Sequence, residues 1–513
     1  MSEGVPRDVA DLVRQAAHRR PSATALVAGT RRLGWAALDA QVDACAAGLL
    51  DRGLAAGDRV ALMLGNTPEF VIAYFGILRA GLVAVPLNTA STPVEVEWLL
   101  GQSGARLVVC DPVTGRVVRE AIPAGSTCEL VDVTLGAWED LLRRGREADA
   151  APAAVDPESL AVLLFTAGTS GRPKGAMLTH RALLADLAMV RDSTDPPAAV
   201  EGDVVLAVLP LFHVYGMNAV LGLAASVAAT CVLVDRFDPG ETLALIQREG
   251  VTNVPGAPPM YVAWAGHPRL RERVAGVRLF ICGGAPLPGD LFDAFQEASG
   301  LPIWEGYGMT ECAPVVATTL VSGAPKRGSV GRPLPGLDVR LLDPGGVDED
   351  DDGDDQPPGH GDPGELWVRG PSLFSGYWPD GAGGPDADGW FNTGDVVYAD
   401  AEGDLHLVDR RRELILVSGF NVYPREVELV IDALAEVAEC AVVGRDHPYT
   451  GETVVAFVVP VPGVSLSSER VLAHCEERLA RFKCPTVVTV VDSLPHSSTG
   501  KVAKGRLREV HGG

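Results

Sequence analysis

The chain is short of positive charge, of paired cysteines and of long apolar runs. Lys and Arg number 43 against 67 Asp and Glu, giving a formal net charge of −24. A protein held to nucleic acid by a general basic surface needs the opposite balance, so that class is excluded. The same balance sets a local problem. An anionic ligand could be held only where donors and cations are concentrated against the global field. The nine cysteines are scattered and no CxxC pair occurs. They read as reduced, mostly buried thiols, and a cytoplasmic location is expected. The N-terminal string MSEGVPRDVADLVRQ has no apolar run and does not read as a signal peptide. The stretch 217–234 comes nearest to a membrane span, yet it is rich in Ala and Gly and includes Asn218, Ser226 and Thr230. A buried helix followed by a strand accounts for it better, so no transmembrane segment is expected. No repeat of fixed period is found.

Apolar residues, by contrast, are plentiful. Hydrophobic residues make up 47% of 513 and charged residues 21%, which suits a large packed core and more than one domain. Short apolar runs at 60–64, 83–86, 106–110, 160–165, 204–209 and 277–282 alternate with helix-like stretches such as 69–79, 180–191 and 288–299. That alternation predicts parallel βαβ units. Beyond about residue 325 Gly, Pro and Asp become frequent and strands shorten, as in a small antiparallel barrel. From Arg410 a compact α+β unit is expected, with helices at 424–434 and 467–481 and strands at 440–443 and 454–459. The run 348–355 holds seven acidic residues and one Gly and reads as a solvated loop. Its spacing does not match an EF-hand calcium loop.

The strongest local signal is TAGTSGRPKG, residues 166–175, after the apolar strand LAVLLF and before a helix starting near His180. Gly168 and Gly171, with small neighbours, let backbone N–H groups converge on an anion. Thr166, Thr169 and Ser170 add hydroxyls, and Lys174 adds a mobile charge suited to phosphates. The spacing is not that of the Walker loop. On these residues alone an ordinary strand-to-helix turn stays open.

TAGTSGRPKG closely resembles the phosphate-loop signature of the adenylate-forming superfamily, which includes acyl-CoA synthetases, beetle luciferases and the adenylation domains of peptide synthetases. Further strings follow in that family's order, so the resemblance spans nearly the whole chain. Cys282-Gly-Gly-Ala-Pro-Leu287 is similar to the loop that packs on adenine, here Gly284, Ala285 and Pro286, with Gly283 at the acyl pocket. In GYGMTE, 306–311, Tyr307 offers an aromatic face, with Gly308 and Met309 beside it. Thr310 offers a hydroxyl for phosphate, and Glu311, with Thr166, a hard oxygen for Mg2+. Asp395, in WFNTGD, resembles the carboxylate that accepts both ribose hydroxyls, and Arg410, in DRRRELI, the arginine beside it. Lys501, in LPHSSTGKV, matches the catalytic lysine that bridges the substrate carboxylate and the α-phosphate.

The resemblance therefore implies an α/β fold. A large N-terminal domain, 1–409, would hold two βαβ-type sheets and a small β-barrel subdomain, followed by a small, mobile α+β C-terminal domain, 410–513. The family turns its C-terminal domain between half-reactions, and the pivot corresponds to Arg412, where relatives often have Asp or Lys. After that turn Ser418, Gly419 and Phe420 would line the pantetheine path, and His213 would stand at its inner end.

The implied activity is an ATP-dependent carboxylic acid:CoA ligase, using ATP, Mg2+ and coenzyme A, with acyl-AMP as intermediate. The acyl pocket maps to His213, Tyr215, Met217, Gly283, Gly306, Pro314 and Val315, none of them a cation. Relatives that take malonate-type diacids have Arg where this chain has Gly306, so a second carboxylate would be buried without a charge partner. Medium- or long-chain fatty acids are expected, with hydroxycinnamate-like arylalkanoates as the alternative. Two other kinds of superfamily member remain as readings: an enzyme that stops at acyl-AMP or passes its acyl group to a carrier protein with release of AMP, and a luciferase-like oxidase. A non-catalytic nucleotide-binding protein would show loss of Lys501, Glu311 or the phosphate loop, and all are present.

Overall fold

The computed structural model describes residues 6–123, 125–148, 154–166, 173–342, 361–410, 415–417, 420–422, 424–447, 451–479, 481–496 and 502–510. They form two compact units. One contains the described residues up to 338 together with 369–391; the other contains those of 339–368 and from 392 onward.

The first unit is built on two sheets. A six-stranded sheet runs Glu129–Asp132, Leu107–Cys110, Arg59–Met63, Val83–Pro86, Leu160–Thr166, Lys174–Thr179. A nine-stranded sheet runs Arg332–Pro333, Val315–Thr318, Ile303–Gly308, Leu279–Cys282, Asn253–Gly256, Val204–Ala207, Thr230–Leu233, Thr24–Ala28, Arg31–Gly34. The middle six of these nine strands are parallel, as the βαβ alternation predicts, and antiparallel pairs close both ends. The helix Pro68–Arg79 shows why the apolar runs are long. Thr67 caps it by accepting from Phe70 N at 3.3 Å, and Pro68 occupies its first turn. Every residue of this helix except Glu69 is buried, so it needs an apolar surface all round. Gly76 lets it approach the helix Trp35–Asp51: a Cβ there would lie 2.7 Å from the Cys45 side chain.

Beneath the nine-stranded sheet Tyr261, Trp264, Phe280 and Phe295 pack edge to face, with centroids 5.0–6.1 Å apart. All four are at most 1% exposed, and burial of each is worth roughly 2–3 kcal/mol. This block underlies the strand Leu279–Cys282, whose C-terminal end presents the Gly283-Gly284 loop.

Two local features add to what was expected. A further strand lies between the Gly-rich segment and the helix expected near His180. The strand Lys174–Thr179 comes first, antiparallel to Leu160–Thr166 with Thr166 opposite Lys174. Ala176 and Leu178 alternate inward on it, and its pairing satisfies backbone groups that a bare loop would leave open. Only then does the helix His180–Ser193 begin, capped by Thr179. The stretch 217–234 is helical and then a strand, as expected, but its first part is a π-helix, Tyr215–Gly222. Among the described residues no helix is long and apolar enough to cross a membrane.

The second unit has a four-stranded sheet among its described residues, Asp338–Leu342, Gly364–Arg369, Phe391–Ala399, Leu405–Arg410, in the region where short antiparallel strands were expected. Its other sheet orders Phe420–Val422, Ile415–Val417, Gly451–Pro460 and Val437–His447, with Val487–Val490 also on Gly451–Pro460. The helices Pro424–Asp432 and Ser468–Glu476 share a core with that sheet through Val427, Ile431, Val471 and Cys475, the expected α+β unit.

Candidate active site

The hairpin Leu160–Thr166/Lys174–Thr179 brings the two described ends of the Gly-rich segment together. Thr166 Oγ1 donates to Lys174 O at 3.4 Å. A loop from 373 to 384 is laid along the outer strand. Met177 N donates to Gly376 O, Ser375 N to Met177 O, and Trp378 N to Gly175 O, all within 3.1 Å. On this loop Tyr377 donates its hydroxyl to Glu311 Oε1 at 2.7 Å, and the Lys174 ammonium stands 5.1 Å over its ring. Glu311 lies in the 3-10 turn Thr310–Cys312, is 6% exposed, and its carbonyl accepts from Phe374 N. Thus Thr166, Lys174, Thr310 and Glu311, far apart in sequence, are gathered in one place. A single buried carboxylate fits Mg2+, which takes one or two carboxylates and shares its shell with phosphate oxygens. No cluster of three or more Asp, Glu, His or Cys that could cage a metal occurs among the described residues.

The strand Ile303–Gly308 and its partner Val315–Thr318 form the neighbouring wall. Gly306 pairs with Thr318 and Tyr307 with Ala317, and Met309 N donates to Pro314 O. Gly308 is required by closeness, since a Cβ on it would stand 2.0 Å from Pro314 O. Gly306 is different. A Cβ there would meet nothing nearer than 3.6 Å, so the position has room. Gly283 lies against it, 3.3 Å from Gly306 O by the same construction and 3.1 Å from the Tyr215 ring. Tyr215 donates to Ile281 O at 3.3 Å. Gly284 has φ +84°, so the 283–287 loop turns away where few side chains could. Met217 is fully buried, and His213, half-buried with its ring against Phe212, accepts at its carbonyl from Met217 N.

Asn218, on the π-helix, ties this wall down. Its Nδ2 reaches Leu183 O, Asp186 Oδ2 and Ala313 O at 2.7–3.2 Å, while Val315 N donates to Asp186 Oδ1. Asp186 is fully buried, and burial pushes its carboxyl well above the usual range. Glu305 is the second such group. It is 6% exposed, burial pushes it up to about 8, and its Oε1 meets no protein hydrogen-bond partner among the described residues. Asp186, Glu305 and Tyr377 are absent from the candidates of the sequence analysis. The first two had a signal, an acid within an apolar run; Tyr377 had none beyond an aromatic among turn residues.

In the second unit Asp395 stands opposite Arg410 on paired strands. Asp395 is 3% exposed, its N–H donating to Thr393 Oγ1. Gly168, Thr169, Ser170, Gly171, Arg412, Ser418, Gly419, Lys501 and the acidic run 348–355 lie outside the described residues. The backbones of Arg410 and Phe420 are described as strand, their side chains not.

The family model of AMP-binding enzymes matches residues 13–378, and that of the AMP-binding enzyme C-terminal domain matches 426–501. A feruloyl-CoA synthase of Amycolatopsis is 37% identical over 504 residues, covering 97% of each chain. A long-chain-fatty-acid–CoA ligase of Yersinia pestis is 33% identical, over 89% of this chain and 86% of the other. The crystal structure of ATP-bound MatB from Rhodopseudomonas palustris superposes with a TM-score of 0.89 at 33% identity, covering 98% of this chain and 99% of that one. The gathered Thr166, Lys174 and Glu311, the open Gly306 wall and these matches agree, and the chain belongs to the AMP-binding, adenylate-forming enzymes as an AMP-forming acyl-CoA synthetase that uses ATP and coenzyme A.

Proposed function

We propose that the acid is a monocarboxylate with a flat apolar tail, of the arylalkanoate kind. The observation behind this is the room at Gly306, where a Cβ would meet nothing nearer than 3.6 Å, beside Gly283 and the Tyr215 ring packed on it. An aromatic neighbour and bare backbone suit a flat apolar group, and none of these residues is a cation for a second carboxylate. The feruloyl-CoA synthase relative, matched over 97% of the chain, supports the same choice. Medium- and long-chain fatty acids, the expectation from the sequence, are the second reading, favoured by the fatty-acid ligase relative.

The proposed division of labour follows from the chemistry. Backbone donors around Gly168–Gly171 with Thr169, Ser170 and Lys174 hold the phosphates. Gly284, Ala285, Pro286, Tyr307, Gly308 and Met309 flank the adenine, and Asp395 and Arg410 take the ribose. Glu311 and Thr166 would hold Mg2+, which neutralises phosphate charge when bound. Thr310 and Lys501 steady the α-phosphate as the acid's oxygen attacks it and pyrophosphate leaves. The thiol of coenzyme A, guided by Ser418, Gly419 and Phe420 and admitted past His213, then displaces AMP. Arg412, at the junction of 1–409 with 410–513, is the proposed pivot between the two steps.

A pyrophosphate-release screen across straight-chain, branched and aromatic acids, with and without coenzyme A, tests the choice. Cinnamate-type acids are expected to give the highest kcat/KM, by at least about tenfold over a C12 fatty acid, ~1.4 kcal/mol. Gly306→Trp should lower kcat/KM for aromatic acids about a hundredfold with acetate little changed, since the position has room for a side chain but an indole there would fill the space a bulky acid needs. A profile led by long straight chains would move the assignment to fatty acids.

A further inference from the structure

Tyr377 stands outside every role assigned above, yet it touches two of the groups that face the nucleotide. Its hydroxyl donates to Glu311 Oε1 at 2.7 Å, and its ring lies 5.1 Å beneath the Lys174 ammonium. The residue is held firmly. Tyr377 N donates to Ala382 O and Gly381 N returns to Tyr377 O, closing a tight turn. Trp378 next to it donates its ring N–H to Gln102 O, under the Arg59 guanidinium, and so anchors the turn to the helix Pro93–Ser103. Phe374 packs on Tyr377 with centroids 5.0 Å apart, and its N–H donates to Glu311 O. Gly376 precedes it at φ +93°, where a Cβ would lie 2.0 Å from Gly381 O. Only glycine permits that bend, and the bend aims the phenol at Glu311.

We infer that Tyr377 is a positioning residue for metal-bound nucleotide. Its O–H fixes one oxygen of Glu311, so that the carboxylate would be held ready for Mg2+, and its ring seats Lys174 beside the phosphate hairpin. The two functions are chemically separable. A carboxylate that accepts one hydroxyl keeps its charge and loses rotational freedom, which favours a hard cation of strict geometry. An ammonium over a phenol ring is held by the ring's negative face, and that attraction does not need the hydroxyl. The inference rests on the reading of Glu311 as the Mg2+ ligand.

The experiment compares Tyr377→Phe, Tyr377→Leu and Glu311→Gln in the full chain, after confirming that each melts within a few degrees of the wild type. Calorimetry gives the Kd of ATP in excess Mg2+ and in EDTA, and electron paramagnetic resonance gives the Kd of Mn2+ for the ATP complex. For Tyr377→Phe, Mn2+ affinity and Mg2+-dependent ATP affinity are each expected to weaken about tenfold, the effect of one hydrogen bond to a charged group, with ATP binding in EDTA unchanged. Tyr377→Leu should also weaken ATP binding in EDTA, about threefold, as Lys174 loses its seat. Wild-type Mn2+ affinity in Tyr377→Phe, or equal losses with and without metal, would overturn the inference while leaving Glu311 as ligand if Glu311→Gln still abolishes Mn2+ binding. Unchanged Mn2+ binding in Glu311→Gln would overturn both.

Discussion

Glu305 carries a cost that a single substitution can remove. Its carboxyl, ordinarily near 4.5, is pushed up to about 8 because burial penalises the anion. Between those values the folded chain binds a proton that the unfolded chain has released. The stability held at pH below 4.5 is therefore lost as pH rises through about 8. Glu305→Gln keeps the shape without the titration. Its melting temperature relative to wild type should climb between pH 5 and pH 8.5, corresponding to about 2–4 kcal/mol. A difference that stays flat across that range would mean Glu305 titrates as an exposed carboxyl does.

The π-helix Tyr215–Gly222 and the helix His180–Ser193 are joined to the Ala313–Val315 turn by Asn218 and Asp186 rather than by apolar contact alone. Each single alanine variant, Asp186→Ala or Asn218→Ala, leaves buried donors or acceptors unmatched and should cost about 2–3 kcal/mol. The double variant should cost less than the sum by ~1 kcal/mol or more, measured as a double-mutant cycle in urea; additive losses would show that the two side chains do not act together. The same elements show what sequence patterning can and cannot reveal. The strands near 83–86 and 160–165 and the helix near 69–79 were legible because apolar runs specify them locally. The strand Lys174–Thr179 was not, because Lys-Gly opens it and its partner supplies the reason for it to be extended. Glu311 was legible from its string, whereas the hydroxyl of Tyr377 meets its acceptor on a residue 66 positions away, which no local pattern announces.

At the scale of the whole chain the test is one of order in the reaction. Lys501→Ala should reduce acyl-AMP formation at least a hundredfold while thioester formation from supplied acyl-AMP is largely kept, assayed as separate half-reactions. Equal losses in both would remove Lys501 from the first step. The two-strand setting of the proposed phosphate loop bears on the same chemistry. A nucleotide loop that runs from strand into helix borrows the partial positive end of that helix. Here the described chain re-enters the sheet at Lys174, and the helix His180–Ser193 starts only after the strand Lys174–Thr179. In a chain of net charge −24, Lys174 and bound Mg2+ would carry much of the balance against the triphosphate beside the proposed backbone donors. ATP affinity should thus fall steeply with ionic strength, making salt concentration a control on substrate saturation.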